Sequence, residues 1–457
     1  MQKMKNGKKV LSVCLSLAMA AGMLSTSAFA SWNVYGGSNN HNAVVTEAPT
    51  TPDKSGLDSY IQLHCTGSGW DGVDNVPVLQ TVNGTTYAYV LYDGYGASGA
   101  LVAKIRCAEN GGSSIVWTTD PYGTEGTSLN AKSGFQLSTP YLDDNGTPND
   151  ASDDTLYVGT ISQYDEYEGG EWLTGTGSKV MALTGLDQNK PTVTNVLTGI
   201  NGQINTPITT DGTYLYFGTW PGGSRAGTYY QVKLSDYSVK TFTPDSYGFY
   251  WAGAVSDGTN VYFGSDNGLL YWRSIADFDT TGGVLDLTDV ASDAGNVRST
   301  VMLDDGYLYF TTQGGYLWCC SYDDGLTVEW HKKLGATSTS TPTKVGDRIY
   351  VGYYSGFNAG GVQCVSADGS SVKTVVEGDG FPVQSSIVVM GDGTGTDYLY
   401  FNTNAQKGAG YCYSYDGTTG SQVWGTTGDT YALGGMAIDN GYAVFGNDYN
   451  HLYVVHD

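Results

Sequence analysis

Thr206-Pro207-Ile208-Thr209-Thr210-Asp211-Gly212-Thr213-Tyr214-Leu215-Tyr216-Phe217-Gly218 decides the fold of this chain. It reads as a small-residue and proline entry, a short apolar run, an Asp-Gly turn and a tyrosine-rich run ending on glycine. Asp-Gly suits a tight hairpin because the turn needs positive φ, which glycine adopts without steric cost. Two antiparallel strands are therefore predicted. The second run is apolar or aromatic on consecutive residues, as expected of a sheet covered on both faces.

The pattern recurs around Ala254 to Gly264, Thr300 to Thr311, Thr341 to Gly352, Ser385 to Asn402 and Gly435 to Gly446, with turns at Asp257-Gly258, Asp305-Gly306, Gly346-Asp347 and Asn440-Gly441. Earlier copies are Val76-Pro77-Val78-Leu79 with Tyr87 to Val90, and Thr139-Pro140-Tyr141-Leu142 with Leu156 to Gly159. Taking Tyr89, Tyr157, Tyr216, Tyr262, Tyr309, Tyr350, Tyr400 and Val444 as equivalent, the intervals are 68, 59, 46, 47, 41, 50 and 44 residues. A period in the forties is the length of a four-stranded propeller blade, and the two long intervals mark inserted loops. We expect an all-β, eight-bladed β-propeller with blades starting near residues 76, 136, 204, 250, 297, 338, 383 and 432.

The ends suggest how the ring closes. The last copy has room for three strands before Asp457, while Ser31-Trp32-Asn33-Val34-Tyr35-Gly36 is strand-like and has no sequence neighbour to pair with. The N-terminal strand is expected to complete the last blade and remove the open edges, with residues 41–75 as a connecting segment. Residues 1–30 carry four lysines, an apolar run from Val10 to Leu24 and Ala28-Phe29-Ala30, the three parts of a secretory signal. The expected mature chain is residues 31–457, a single propeller domain, secreted or associated with the cell surface.

Composition agrees with this reading. The 457 residues include 65 Gly and 36 Tyr but only 14% charged side chains, which favours turns and strands over helices. The net charge is -24, and loss of four lysines with residues 1–30 makes it -28. So acidic a surface is a poor partner for nucleic acid or anionic lipid. No second apolar stretch approaches the ~20 residues of a membrane span.

The units end on an apolar run leading to Asp, Thr-Gly and Trp, best seen in Tyr415-Asp416-Gly417-Thr418-Thr419-Gly420-Ser421-Gln422-Val423-Trp424. This resembles the pyrroloquinoline-quinone-like β-propeller repeat. Quinoprotein dehydrogenases share that repeat with many non-enzymatic exported bacterial proteins, including an outer-membrane assembly lipoprotein. The resemblance implies that the terminal tryptophan packs between blades. That structural role falls by position to Trp117, Trp330 and Trp424, and to Trp32 through the N-terminal strand, with Phe242 and Leu287 standing in its place elsewhere. It also raises redox chemistry, in which pyrroloquinoline quinone sits on a calcium ion, often under a vicinal disulfide. Cys319-Cys320 is the candidate pair, but it falls in the third strand of a blade rather than in a loop over the ring's mouth.

Other chemistry is weakly signalled. The histidines 41, 64, 331, 451 and 456 lack zinc-site spacing, and Cys319, Cys364 and Cys412 read as small buried hydrophobes. The loop holding Asp143, Asn145, Asp150 and Asp153 is the calcium candidate, although it lacks the EF-hand spacing. Trp70, Trp172, Trp220 and Tyr250 fall in probable loops and are candidates for a binding patch at one mouth of the ring, whereas Trp251 is expected to start a strand. The expected function is that of an exported, non-catalytic, monomeric propeller that binds an extracellular protein or a glycan. The alternative is a quinone-dependent dehydrogenase acting on an alcohol or sugar, or a propeller-fold glycan hydrolase or lyase.

Overall fold

A computed structural model describes residues 31–63, 72–94, 99–109, 111–120, 126–129, 136–161, 164–168, 171–174, 177–323 and 325–457. Eight antiparallel sheets follow one another along the chain, so the fold is an eight-bladed β-propeller. Blade 1 comprises Val78–Val82, Thr85–Asp93, Ala100–Arg106 and Ser114–Thr118, counted from the hub outwards. Blades 2 to 7 repeat that order from Tyr141–Asp143, Thr209–Thr210, Val255–Ser256, Met302–Asp304, Thr343–Val345 and Val388–Met390. Blade 2 carries an inserted hairpin, Tyr164–Glu168 with Glu171–Thr174, between its second and third strands.

The turns follow local chemistry. Asn83-Gly84, Asp305-Gly306 and Asn440-Gly441 have positive φ at both residues, the conformation of a two-residue hairpin. At Asp211 and Asp257 only the following glycine is left-handed. There the carboxylate accepts from the backbone of Thr213 and Tyr214 (both 2.8 Å), or of Thr259 and Asn260 (both 2.7 Å), and from the Tyr216 or Tyr262 hydroxyl.

Blade 8 joins the two ends of the chain. Its inner strands are Ala437–Asp439, Tyr442–Gly446 and His451–Val455, and its outer strand is Ile61–Gln62, paired antiparallel with Leu452 and His451. An N-terminal strand does close the ring, but it is not the Trp32 segment expected from sequence. Ser31–Gly36 could not continue as an edge strand, because Gly36 and Gly37 turn left-handed (φ 74° and 69°) and fold the backbone against the indole of Trp32.

Residues 32–45 instead run through the hub and cover the inner edges of the innermost strands. Leu79 of blade 1 donates its N–H to the Trp32 carbonyl, Leu142 of blade 2 to Asn33, Leu303 of blade 5 to Asn40 and Val389 of blade 7 to Ala43, all at 2.8–2.9 Å. Asn42 exchanges two hydrogen bonds with the Lys344 backbone of blade 6, and Val44–Val45 pair in parallel with Val389 and Met390. Val34 packs among Ile204, Ile208 and Leu215 at blade 3, and the His41 imidazole lies 2.8 Å from the Ala254 carbonyl at blade 4. Both the outer edge of blade 8 and the ring of inner edges present unpaired backbone groups, and one polypeptide end satisfies both.

The terminal tryptophans dock where the third and fourth strands pair. The triples Tyr89–Lys104–Trp117, Tyr309–Cys319–Trp330 and Tyr400–Cys412–Trp424 share one register. A β-bulge at Val116, Glu329 or Val423 precedes each tryptophan and re-aims it towards the next blade. Trp117 donates to the Leu186 carbonyl (3.4 Å), Trp424 donates to the Pro49 carbonyl (2.8 Å), and Trp330 lies over Gly369, where a Cβ would come within 2.6 Å of the indole. The register places Lys240 and Gly283, not Phe242 and Leu287, at the tryptophan position of blades 3 and 4. Lys240 and Lys373 reach the Ala276 and Gly417 carbonyls of the following blade. Among the described residues no helix is long and apolar enough to cross a membrane.

Candidate binding site at the mouth of the axial channel

Strand direction assigns the loops to faces. Each loop between a second and a third strand, and each connection between blades, falls on one face of the disc. The turns between first and second and between third and fourth strands fall on the other. At the centre of the first face lies a small axial cavity of about 50 Å³, lined by residues that include Asp74, Asn75, Thr139, Trp251, Arg298 and Gln384. Tyr35 of the hub segment also lines it, with its hydroxyl 3.0 Å from Thr341 Oγ1.

One flank of this mouth is an aromatic and arginine cluster from blades 3 to 5. Trp220 and Tyr250 meet edge to face, with ring centres 5.3 Å apart, and Tyr250 and Trp251 are 5.0 Å apart. The Arg298 guanidinium lies 4.5 Å from the centre of the Tyr250 ring and makes a bidentate pair with Asp266 (2.7 and 2.6 Å). Trp220 Nε1 donates to the same carboxylate at 3.1 Å. Burial works against the charge on Arg298, but the Asp266 pair outweighs it and raises the pKa. All four cluster side chains other than Asp266 are half-buried.

Trp251 does not start a strand. It has φ 59°, a conformation that costs a bulky residue about 1–3 kcal/mol and that the surrounding packing must hold in place. Sequence reasoning missed Arg298 and Asp266, which lie 78 and 46 residues beyond Trp220 and carry no local motif. Of the other aromatic candidates, Trp70 lies outside the described residues. Trp172 is in the inserted hairpin on this face, of which the backbone alone is described.

The acidic loop of blade 2 is on the opposite face, where Asp143, Asn145 and Asp153 line one pocket, with Asn145 Nδ2 3.5 Å from the Asp153 carboxylate, while Asp150 is not among its lining residues. Asp143 accepts from the Asn145 backbone (3.1 Å), Asp153 from Thr147 Oγ1 (2.9 Å), and Asp150 from the Ser152 backbone and hydroxyl (3.1 and 2.6 Å). Among the described residues no three acidic, histidine or cysteine side chains are grouped to hold a metal.

The described residues at the axis do not fit a quinone. The hub segment occupies the axis, and the remaining cavity is far below the ~300–1,000 Å³ of ordinary ligand sites. Cys319 and Cys320 are free thiols that alternate across the third strand of blade 5. Cys319 is buried with Ile349 and Val351 towards blade 6, and Cys320 with Tyr262 and Leu270 towards blade 4. Alternation along a strand sends the two sulfurs to opposite faces, away from the mouth.

These features define the class as an eight-bladed propeller with a self-filled hub and an aromatic cluster at one mouth. No protein-family profile and no curated protein matches the chain. Among solved structures it is similar to BamB from Moraxella catarrhalis, with 13% identity, a TM-score of 0.52, and 87% of this chain and 98% of the other covered. It is also similar to the quinohemoprotein alcohol dehydrogenase from Comamonas testosteroni, with 10% identity, a TM-score of 0.56, and 91% and 76% covered. At such identities the likeness shows the propeller fold alone.

Proposed function

We propose that this protein is a non-catalytic binding propeller that engages a protein or glycan through the face bearing Trp220, Tyr250 and Trp251. The observation that carries this reading is the filled hub, which leaves the aromatic mouth rather than an axial cofactor chamber as the chemically distinctive feature. A strained tryptophan, a ring held by a guanidinium and a paired carboxylate form a preorganised patch, and aromatic anchors of this kind commonly dominate binding. We further propose that the protein acts as a monomer outside the cytoplasm after loss of residues 1–30, which a mature N-terminus at Ser31 would support.

The test is capture of ligands from native cell-surface material and from a glycan array by the mature protein, compared with Trp220→Ala and Trp251→Ala. Each variant is expected to weaken capture at least tenfold while leaving the far-ultraviolet spectrum unchanged. Equal capture by all three proteins would overturn the reading. So would reduction of an artificial electron acceptor on addition of pyrroloquinoline quinone and Ca²⁺.

A further inference from the structure

The seam between blades 4 and 5 departs from the register that seals its counterparts. In blades 5 and 7 the triples Tyr309–Cys319–Trp330 and Tyr400–Cys412–Trp424 place a small residue on the third strand and an indole on the fourth. In blade 4 the triple is Tyr262–Trp272–Gly283, so indole and small residue have changed places. Glycine cannot reach the next blade as Trp117, Lys240 or Lys373 do. Trp272 Nε1 lies over Gly283, 2.5 Å from where a Cβ would stand. What remains is a pocket of about 160 Å³ lined by Asn260, Tyr262, Trp272, Tyr322, Asp323 and Leu326, with the Gly325 backbone at its edge.

The lining selects the ligand chemistry. Trp272 and Tyr322 are half-buried, and the rings of Tyr262 and Tyr322 are 5.3 Å apart at 44°. Asp257 fixes the Tyr262 hydroxyl at 2.7 Å, whereas the Asn260 amide reaches that hydroxyl only at 3.5 Å and keeps donor capacity for a guest. Asp323 adds a carboxylate acceptor. Among the described residues no Lys, Arg or His lines the pocket to compensate an anion. A purely apolar guest would leave the amide and carboxylate without partners. A neutral ring with an apolar C–H face and a hydroxylated edge satisfies both parts, and the volume admits one ring.

We propose that the blade 4–5 seam is a binding site for a single neutral pyranose unit, stacked on Trp272 and hydrogen-bonded by Asn260 and Asp323. It lies on the face opposite the axial mouth and stands independently of the function proposed above. The experiment titrates the mature protein with methyl glucoside, methyl galactoside, methyl mannoside and N-acetylglucosamine, followed by saturation-transfer NMR and tryptophan fluorescence. At least one is expected to bind, Trp272→Ala to weaken it at least tenfold, and the exchange Trp272→Cys/Gly283→Trp to abolish it, because it removes the stacking indole from the third strand. If none of the four binds, or if Trp272→Ala binds as the wild type does, the assignment is wrong. Preferential binding of N-acetyl-tryptophanamide would also overturn it and assign the pocket to an aromatic side chain of a protein partner.

Discussion

Replacing Trp32 by alanine tests the hub segment directly. The side chain is 3% exposed and packs in a cluster that includes Leu79 of blade 1 and Ala437 and Val444 of blade 8. An indole burying ~150–250 Å² at ~25 cal/mol per Å² contributes about 4–6 kcal/mol of transfer free energy. Its buried Nε1 has no hydrogen-bond partner among the described protein atoms, which offsets ~1–3 kcal/mol. Trp32→Ala should therefore cost about 3 kcal/mol, and Trp32→Phe, which removes the orphan donor and keeps most of the packing, about 1 kcal/mol or less. Gly37 supplies the control, because a Cβ there would lie 2.6 Å from the indole. Its left-handed φ of 69° adds strain that does not depend on Trp32. The cost of Gly37→Ala should fall by about 1 kcal/mol or more when Trp32 is already alanine. Urea unfolding followed by far-ultraviolet circular dichroism gives all four free energies. A Trp32→Ala loss within ~0.5 kcal/mol of zero, or a Gly37→Ala cost independent of Trp32, would show that the indole does not fill the hub.

Three further outcomes follow from buried groups. His41 is buried in the hub, and burial lowers its pKa below 6.5 despite hydrogen bonds to the backbone at Tyr35 and Ala254. The unfolded chain then takes up a proton that the folded chain refuses, so stability should fall as pH drops below about 6.5, and His41→Gln should flatten this part of the urea-midpoint profile. Asp439 has the opposite sign, since burial pushes its pKa up to about 6 despite the Thr81 hydrogen bond. Folding takes up a proton between about pH 4 and 6, so Asp439→Asn should raise stability at pH 7 by about 1–2 kcal/mol and lose that advantage near pH 4 in a denaturation series. Burial also pushes the thiols of Cys107, Cys319 and Cys412 up to about 12. The mature native protein should therefore leave them unmodified by a thiol reagent for as long as it stays folded, with mass spectrometry showing no intramolecular loss of two hydrogens at Cys319-Cys320.

The blades were legible because their signals are local and repeated. A hairpin such as Asn83-Gly84 or Asn440-Gly441 announces itself by the residues that tolerate positive φ, and consecutive apolar residues such as Leu215-Tyr216-Phe217 announce a sheet covered on both sides. Trp220 and Tyr250 were recognisable as loop aromatics for the same reason. Their partners Asp266 and Arg298 were not, because the side-by-side packing of consecutive blades, and no local motif, brings the loop between the second and third strands of blade 4 and the connection to blade 5 against them.

The amino-acid sequence by itself determined the number of blades and the buried character of Cys319, Cys364 and Cys412, since each depends on patterns a few residues long. Only the tertiary structure decided which unpaired edge each part of the N-terminal segment covers. Ser31-Trp32-Asn33-Val34 and Ile61–Gln62 both satisfy backbone groups, but hub and rim offer the same hydrogen-bonding chemistry and differ only in place. The seam at Gly283 was likewise hidden, because its meaning depends on strand register, and a shift of one residue moves a side chain from one face of the sheet to the other.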